Sequence, residues 1–439
     1  MREKNLLLLL FVALTVFSAC KTTETEKLSD TEILHQNQDK LTQVIIYDVF
    51  NPPVASRIYA YSSLASYEAM RFARPGSPSF VSELNGFKSM PQPEKGLKYD
   101  FTLAATRAFF TVAHKVVFSL DSLKEHEEKV YLQFKNSLDE ETYARSVQFG
   151  DSIGKIVLAR SAADNYKVTR GMPKFLGNSM DGSWRPTGPD YFDGVEAYWG
   201  KIKPFVLDSA ELANVPIPNV PKFTLQPGSE YHKEVMDLYN LTNNLTQEQK
   251  DIAKYWDDNP FVMEHSGHMM FANKKITPGG HWMGIAEIAS RKSNADPVKT
   301  AKAYAATAVA LYDAFICCWN LKYKLNSVRP VTVINENIDE HWQPMLQTPP
   351  FPEYPSGHST ITRAAATVLT KMFGDNFAFE DTSDLKYIGM KRNFKSFVQA
   401  ADEASISRVY GGIHYRFSVD DGVKEGKKVG EQVIDKLKL

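Results

Sequence analysis

Three short segments in the last third of the chain carry residue types that can grip one small, multiply charged anion. In the first, Lys322 and Arg329 bracket six residues, and Arg329 precedes Pro330. A proline biases the residue before it away from helical geometry, so the guanidinium can turn back toward the ammonium. The second segment is Pro355-Ser356-Gly357-His358, preceded by Pro349, Pro350 and Pro352 and followed by a helical stretch from Ser359 to Phe373. Ser356 offers a hydroxyl, Gly357 lets a backbone N–H come close, and the helix N-terminus adds partial positive charge. The third segment is Ser407-Arg408, five residues that include Gly411-Gly412, and then His414. A helix ending at the two glycines lets Arg408 and His414 converge from either side of a turn. Forked guanidiniums on equatorial oxygens with a histidine on each side suit a tetrahedral or trigonal-bipyramidal oxyanion.

The elements that must hold these segments read as helices. Apolar residues recur at three- and four-residue spacing from Ala55 to Met70, between Pro52-Pro53 and Pro75-Gly76. Further helical stretches run over Phe101 to Phe118, Ser122 to Phe134, Glu140 to Tyr166, Thr246 to Trp256, Pro297 to Tyr323, Ser359 to Phe373, Phe394 to Tyr410 and Ser418 to Lys438. Alternating runs are scarce, so the expected class is all-α: two helical bundles with irregular connectors. The expected division is a helical region over 21–170, a connector over 171–245 rich in Gly, Pro and aromatics, and a bundle over 246–439 whose motif-bearing core spans 300–436. A five-residue echo, Ala65-Ser66-Tyr67-Glu68-Ala69 against Ala310-Leu311-Tyr312-Asp313-Ala314, hints at the same division.

The 439 residues carry 51 Lys+Arg against 52 Asp+Glu, net −1, without the basic excess of a nucleic-acid binder. With 43% hydrophobic residues the chain can build a large core, and wholesale disorder is excluded. Cys20, Cys317 and Cys318 form no disulfide framework, because adjacent cysteines do not meet disulfide geometry. Cys317 and Cys318, in an apolar helix, read as buried thiols. Arg2 and Lys4 precede a 14-residue apolar run from Leu6 to Ala19, the length of a signal segment rather than of a spanning helix. With Ser18-Ala19-Cys20 following, it resembles a bacterial lipoprotein signal over 1–20, against an ordinary cleaved signal. The expected place is the cell envelope, periplasm or outer membrane, anchored by lipid on Cys20. No later apolar run is read as long enough to span a membrane.

Lys-x6-Arg-Pro, Pro-Ser-Gly-His and Ser-Arg-x5-His in this order resemble the superfamily of type 2 phosphatidic acid phosphatases, class A acid phosphatases and vanadium-dependent haloperoxidases. The gaps agree, with 24 residues (331–354) between the first two motifs and 48 (359–406) before Ser407. The first half points to the peroxidases, through Ala55-Ser56-Arg57-Ile58, Tyr67-Glu68-Ala69, Trp184-Arg185-Pro186, Trp199-Gly200 before Pro204-Phe205, and Tyr255-Trp256-Asp257-Asp258-Asn259-Pro260. The fuller likeness is to bacterial vanadium iodoperoxidases. It implies a haloperoxidase fold, a vanadate cofactor, and oxidation of iodide or bromide by hydrogen peroxide to hypohalous acid. It also implies His414 as the vanadium ligand, His358 as general acid/base, Lys322 as the cation that polarises the bound oxidant, and Lys322, Arg329, Ser356, Gly357 and Arg408 on the oxygens. The expectations that go with it are that Ser356 tunes the halide and that Trp319 and Phe351 stand on the halide side, against a plain core role for Trp319. The alternatives are a phosphatase of the same superfamily acting through a phosphohistidine, and a non-catalytic envelope lipoprotein.

One position departs from the pattern. The aspartate that often follows the axial histidine by four residues, holding its second ring nitrogen, is Ser418 here. Ser418-x-x-Asp421 reads instead as the cap and first turn of the last helix, with Asp420 beside it. His265, His268 and His281 read as histidines that are packed, or that support a site from behind, in Met- and Phe-rich surroundings rather than as a zinc site. His341 reads as connector, and Lys124 to Lys129 as a solvated helix face.

Overall fold

The computed structural model describes residues 28–208, 220–260, 263–266, 269–272 and 274–439, with backbone only for the two four-residue segments. The signal segment over 1–20, Cys20, and the side chains of His265 and His268 lie outside the described residues.

The chain is helical. The main helices are α1 (Asp30–Tyr47), α2 (Pro52–Met70), α3 (Phe101–Val116), α4 (Asp121–Lys135), α5 (Glu140–Ala162), α6 (Glu230–Thr242), α7 (Gln247–Tyr255), α8 (Pro278–Lys292), α9 (Pro297–Leu325), α10 (Pro330–Asn337), α11 (Gly357–Phe373), α12 (Phe397–Tyr410) and α13 (Arg416–Leu437). Two antiparallel ribbons add β1 (Met263–Ser266) with β2 (Met269–Ala272), and β3 (Phe379–Asp381) with β4 (Arg392–Phe394).

Several boundaries differ from the sequence reading. Pro52 and Pro53 start α2 rather than preceding it, because proline is tolerated in a first turn. α11 begins at Gly357, with Ser356 as its cap. Phe394 lies in β4, outside α12. α1, α6, α8 and α10 have no counterpart in that reading. α13 starts at Arg416 behind Tyr415, so Ser418 and Asp421 lie inside the helix and are not its cap. Asp421 is buried and accepts from Tyr354 Oη at 3.1 Å and Lys424 Nζ at 2.9 Å, while exposed Asp420 pairs with Arg416. The helix face at 124–129 is solvated only in part, because Glu127 turns inward toward His114 and Arg107.

The two central helices, α2 and α9, pack against each other, and one core runs through both halves of the chain. The sequence echo has a structural counterpart. Glu68 on α2 accepts from the backbone N–H of Phe80 (2.7 Å) and Val81 (3.1 Å). Asp313 on α9 accepts from those of Phe205 (2.8 Å), Val206 (2.7 Å) and Leu207 (3.1 Å). Each buried acid thus ties an irregular segment to a central helix. α9 corrects one expectation: it is long and apolar enough to cross a membrane, but its apolar face is covered by protein. Cys317 and Cys318 are buried on it as free thiols.

Capping and close packing aim the site. Asp296 caps α9 by accepting from Lys299 N at 3.0 Å, with Pro297 next. Asn326 ends α9 at φ 51°, the left-handed turn that sends the chain toward Arg329. α13 lies close on α11 because Gly422, Gly426 and Gly430 form one stripe; a Cβ at Gly426 would stand 2.0 Å from the Thr360 carbonyl oxygen. The irregular segment before residue 209 straps over the end of α9. Trp184 N donates to Asn326 O, Val328 N to Gly182 O, and Val195 N to Pro350 O.

Candidate oxyanion site

α9 delivers Lys322 with no exposed surface, and its ammonium donates to the carbonyls of Pro352 (3.0 Å), Glu353 (2.9 Å) and Pro355 (2.5 Å). Burial lowers its pKa, while three carbonyl acceptors favour the charged form. All three donors are therefore spent on the 352–355 turn. Lys322 thus shapes that turn and supplies positive field, with no N–H left to aim at an anion in this arrangement.

Arg329 has the extended backbone expected before proline, φ −77° and ψ 149°. Its Nε donates to Phe351 O and its Nη1 to Ile413 O, both at 2.8 Å, and the guanidinium lies 5.0 Å from the Phe351 ring. Nη2 is buried and has no partner among the described residues. Arg408, near the end of α12, donates through Nη1 to Trp256 O, and its buried Nε likewise lacks a partner. Burial lowers both pKa values, Arg329 to about 10, so both remain cations at neutral pH.

Ser356 caps α11, accepting from Ser359 N at 3.4 Å and Ser359 Oγ at 2.8 Å, which leaves its own proton to donate. Gly357 opens the helix, and a Cβ there would sit 3.4 Å from Trp319 Cζ3 and intrude on the cavity. His358 follows in the first turn, its Nε2 buried and without a hydrogen-bond partner among the described residues. Burial, reinforced by Arg408, holds its pKa well below the ordinary value.

His414 is fixed by a residue that the sequence reading missed. Its Nδ1 lies 2.8 Å from Glu353 Oε1, which also accepts from Tyr415 N at 3.1 Å, and Glu353 Oε2 accepts from Ser418 Oγ at 2.6 Å. Glu353 therefore takes the place of the absent aspartate, and Ser418 holds Glu353. The available signal was a carboxylate among prolines three residues before Ser356. With Nδ1–H donated to Glu353, the lone pair sits on Nε2, 3.2 Å from Arg329 Nη1. Burial and the neighbouring arginine hold the ring's pKa well below 6.5, which keeps it a neutral ligand.

Gly357, His358, Arg408 and His414 line one cavity of about 30 Å³. Phe315, Trp319, Phe351 and Ile361 form its apolar wall, and Pro52 and Pro278 bring α2 and α8 to it. Trp319 Nε1 is committed to Val195 O at 3.1 Å, so the ring offers this cavity only carbon. All three motif segments converge here, with Lys322, Arg329 and Ser356 packed behind the lining. Unpartnered buried donors on two arginines, a His414 Nε2 lone pair met by Arg329 Nη1 at 3.2 Å, and an unpartnered nitrogen on His358 make a donor set that fits a tetrahedral oxyanion. His281 lies deeper, buried and stacked on Trp256, with its ring nitrogens facing Asp258 and Asp381.

A family model described as the VCPO second helical-bundle domain matches residues 302–439. The crystal structure of a bacterial vanadium-dependent iodoperoxidase is 43% identical, with TM-score 0.86 over 92% of this chain and 96% of that one. The holo-type bacterial vanadium-dependent chloroperoxidase is 16% identical, with TM-score 0.69 over 94% of this chain and 96% of that one. Its apo-type structure is also 16% identical, with TM-score 0.63 over 89% and 94%. At that identity these two show the shared fold alone. No curated protein matches the sequence. By the likeness to the iodoperoxidase over nearly its whole length, the chain belongs to the vanadium-dependent haloperoxidases.

Proposed function

We propose that this protein oxidises halide, iodide before bromide, with hydrogen peroxide, giving hypohalous acid. The observation that carries the reading is the convergence of His414, His358 and Arg408 on one small cavity with an aromatic wall, with Arg329 packed behind it against His414 and its Nη2 without a partner among the described residues. His414 Nε2 would ligate vanadate, Arg329 Nη2 and Arg408 Nε would bind its oxygens, and Ser356 and the Gly357 amide would complete the cradle. Bound vanadate supplies a Lewis-acidic centre that activates peroxide toward attack by halide without a change of metal oxidation state.

The chain's own groups do the rest. His358 holds and moves a proton at Nε2, which the neutral ring leaves unprotonated and open to the cavity. Phe315, Trp319 and Phe351 exclude water and present the polarisable surface that a large, weakly hydrated halide prefers. Per turnover one halide, one peroxide and one proton give one hypohalous acid and one water, so proton delivery is part of the reaction.

The test uses purified protein loaded with vanadate and supplied with peroxide and iodide, bromide or chloride, beside a phosphate-ester hydrolysis assay without vanadate. Iodide oxidation that is lost in His414→Ala is the expected result. Ester hydrolysis that vanadate inhibits, with no halide oxidised, would overturn the reading.

A further inference from the structure

We propose that the buried carboxyl pair of Asp384 and Asp258, clamped by the His281 ring, passes protons to His358 from an open cavity on the other side of α8. The inference rests on the haloperoxidase reading above, because that reaction consumes a proton each turn.

His281 is fully buried on α8 and stacks on Trp256 at 4.5 Å. Its Nδ1 lies 3.1 Å and 3.2 Å from the two Asp258 oxygens and 3.6 Å from Asp384 Oδ2, and its Nε2 lies 2.9 Å from Asp381 Oδ2. Both ring nitrogens face carboxylates, so both carry hydrogen and the ring is a cation. Burial opposes that charge, but Asp258 and Asp381 outweigh it and raise the pKa well above the usual value. The charged and titratable groups around the ring are Tyr255 on α7, Asp258 after it, Asp381 on β3, Asp384 beyond it, Tyr59 on α2 against Gly280, His358 on α11, and Arg408 on α12 beyond Asp258.

Asp384 also hydrogen-bonds Asp258. Two carboxyl groups make that bond only when one holds a proton. Burial is the main force raising Asp384, so at neutral pH the shared proton sits on Asp384. Asp258 Oδ2 in turn stands 3.9 Å from His358 Nε2, a gap that a small side-chain rotation closes once that nitrogen must be reprotonated.

At its other end the pair lies behind the wall of a cavity of about 530 Å³ bordered by α1 and α8 and lined by Thr382, Ser383, Leu385, Lys386 and Tyr387, the residues on either side of buried Asp384 in the chain. The Tyr387 hydroxyl there has no hydrogen-bond partner among the described residues. The oxyanion cavity is small, so an oxyanion held in it leaves His358 little solvent on that side. In the step, the Asp384 O–H bond breaks as Asp258 gains the proton, Asp258 gives it to His358 Nε2, and water in the large cavity reprotonates Asp384. One proton is delivered for each halide oxidised, and no electrons move.

Asp384 and His281 act through Asp258 and are positioning residues. Infrared difference spectra of the vanadate-free native protein should show, beyond the bands that Glu425→Gln and Glu353→Gln remove, a further protonated carboxyl that titrates near or above neutral pH and disappears in Asp384→Asn. In vanadate-loaded Asp384→Asn, kcat should fall about tenfold or more, with its alkaline limb moved to lower pH, and small buffer acids should restore rate. KM for halide and vanadate affinity should stay within about twofold, which separates a lost proton path from a damaged pocket. A native spectrum without that carboxyl overturns the proposal even if the variant does not fold. So does an unchanged pH profile in Asp384→Asn, or a stoichiometric divalent metal in dialysed native protein, since that would make Asp258, His281 and Asp384 metal ligands. Loss of halide oxidation in the native enzyme itself would count against the haloperoxidase reading instead.

Discussion

The Glu353 carboxylate lies 2.8 Å from Nδ1 of His414, across 61 residues of chain, and fixes both the tautomer and the plane of the ring. A carboxylate behind a ligating imidazole raises its basicity, and removing such a partner lowers metal affinity about 10- to 100-fold. Glu353→Gln keeps the volume but loses the charge, and should weaken vanadate binding by about that factor. Ser418→Ala, which frees Glu353 Oε2 from its 2.6 Å bond, should cost about a few-fold. Equilibrium dialysis with vanadium analysis measures both, and a Glu353→Gln protein with native affinity would deny Glu353 this role.

Arg408 bears on a different term. Its Nη1 is held by the Trp256 carbonyl while Nε is left free. A lysine can replace the charge but cannot hold the carbonyl with one donor and present another in a fixed plane. Arg408→Lys should therefore weaken vanadate binding by about tenfold or more, a loss corresponding to about 1.4 kcal/mol or more. The same titration in dialysis decides it, and unchanged binding would show that charge alone suffices at this position.

The site's motifs were legible because each is local: a cation before a proline, a glycine at a helix start, and an arginine one turn before two glycines. Their convergence was legible from order and spacing. What escaped were partnerships that only the fold creates. Glu353 meets His414 over 61 residues and Asp258 meets His281 over 23; the carboxylate among prolines before Ser356 was visible, but nothing local named the partner of either acid. Ser418 was misread for a physical reason: Ser-x-x-Asp is the pattern of a helix start, whereas α13 begins two residues earlier behind Tyr415, which makes no side-chain cap. α1 was missed because His35, Asn37 and Gln38 are buried beside its aliphatic residues, blurring the apolar stripe. The five-residue echo was thin as sequence, yet Glu68 and Asp313 do the same job on the two central helices.

Buried acids set one arm of the pH dependence of stability. Glu425 is fully buried on α13, accepting from Thr360 Oγ1 at 3.4 Å, and burial pushes it from 4.5 up to about 8. The folded state holds a proton that the unfolded chain releases above about 4.5, so this group costs stability increasingly as pH rises toward 8. Glu425→Gln should remove the cost, by on the order of 4 kcal/mol at pH 8 and near zero at pH 4. His35 works on the other arm: burial lowers it to about 4, so stability is lost as pH falls from about 6.5 toward 4. Urea unfolding across this range measures both slopes, and a Glu425→Gln protein without a gain at pH 8 would contradict the buried neutral acid.

The contact of α13 with α11 supports the site from behind, since α11 carries Ser356, Gly357 and His358 at its start. A Cβ at Gly426 would lie 2.0 Å from the Thr360 carbonyl oxygen and 2.9 Å from Arg363 Cβ, and neither backbone nor helix can yield locally. Gly426→Ala must push the two helices apart along the whole stripe of Gly422, Gly426 and Gly430. The helix-propensity gain of about 1 kcal/mol from replacing glycine is smaller than the overpacking cost of about 3 kcal/mol or more. The melting temperature should therefore fall, and vanadate affinity with it, because Gly422 approaches the Ser356 carbonyl oxygen at the same interface, with a Cβ there at 2.9 Å. Gly374→Ala is the informative contrast, since its Cβ meets no atom and its cost comes only from its left-handed φ of 106°. If Gly426→Ala lowered stability no more than Gly374→Ala, close helix approach would not be what holds α11 in place.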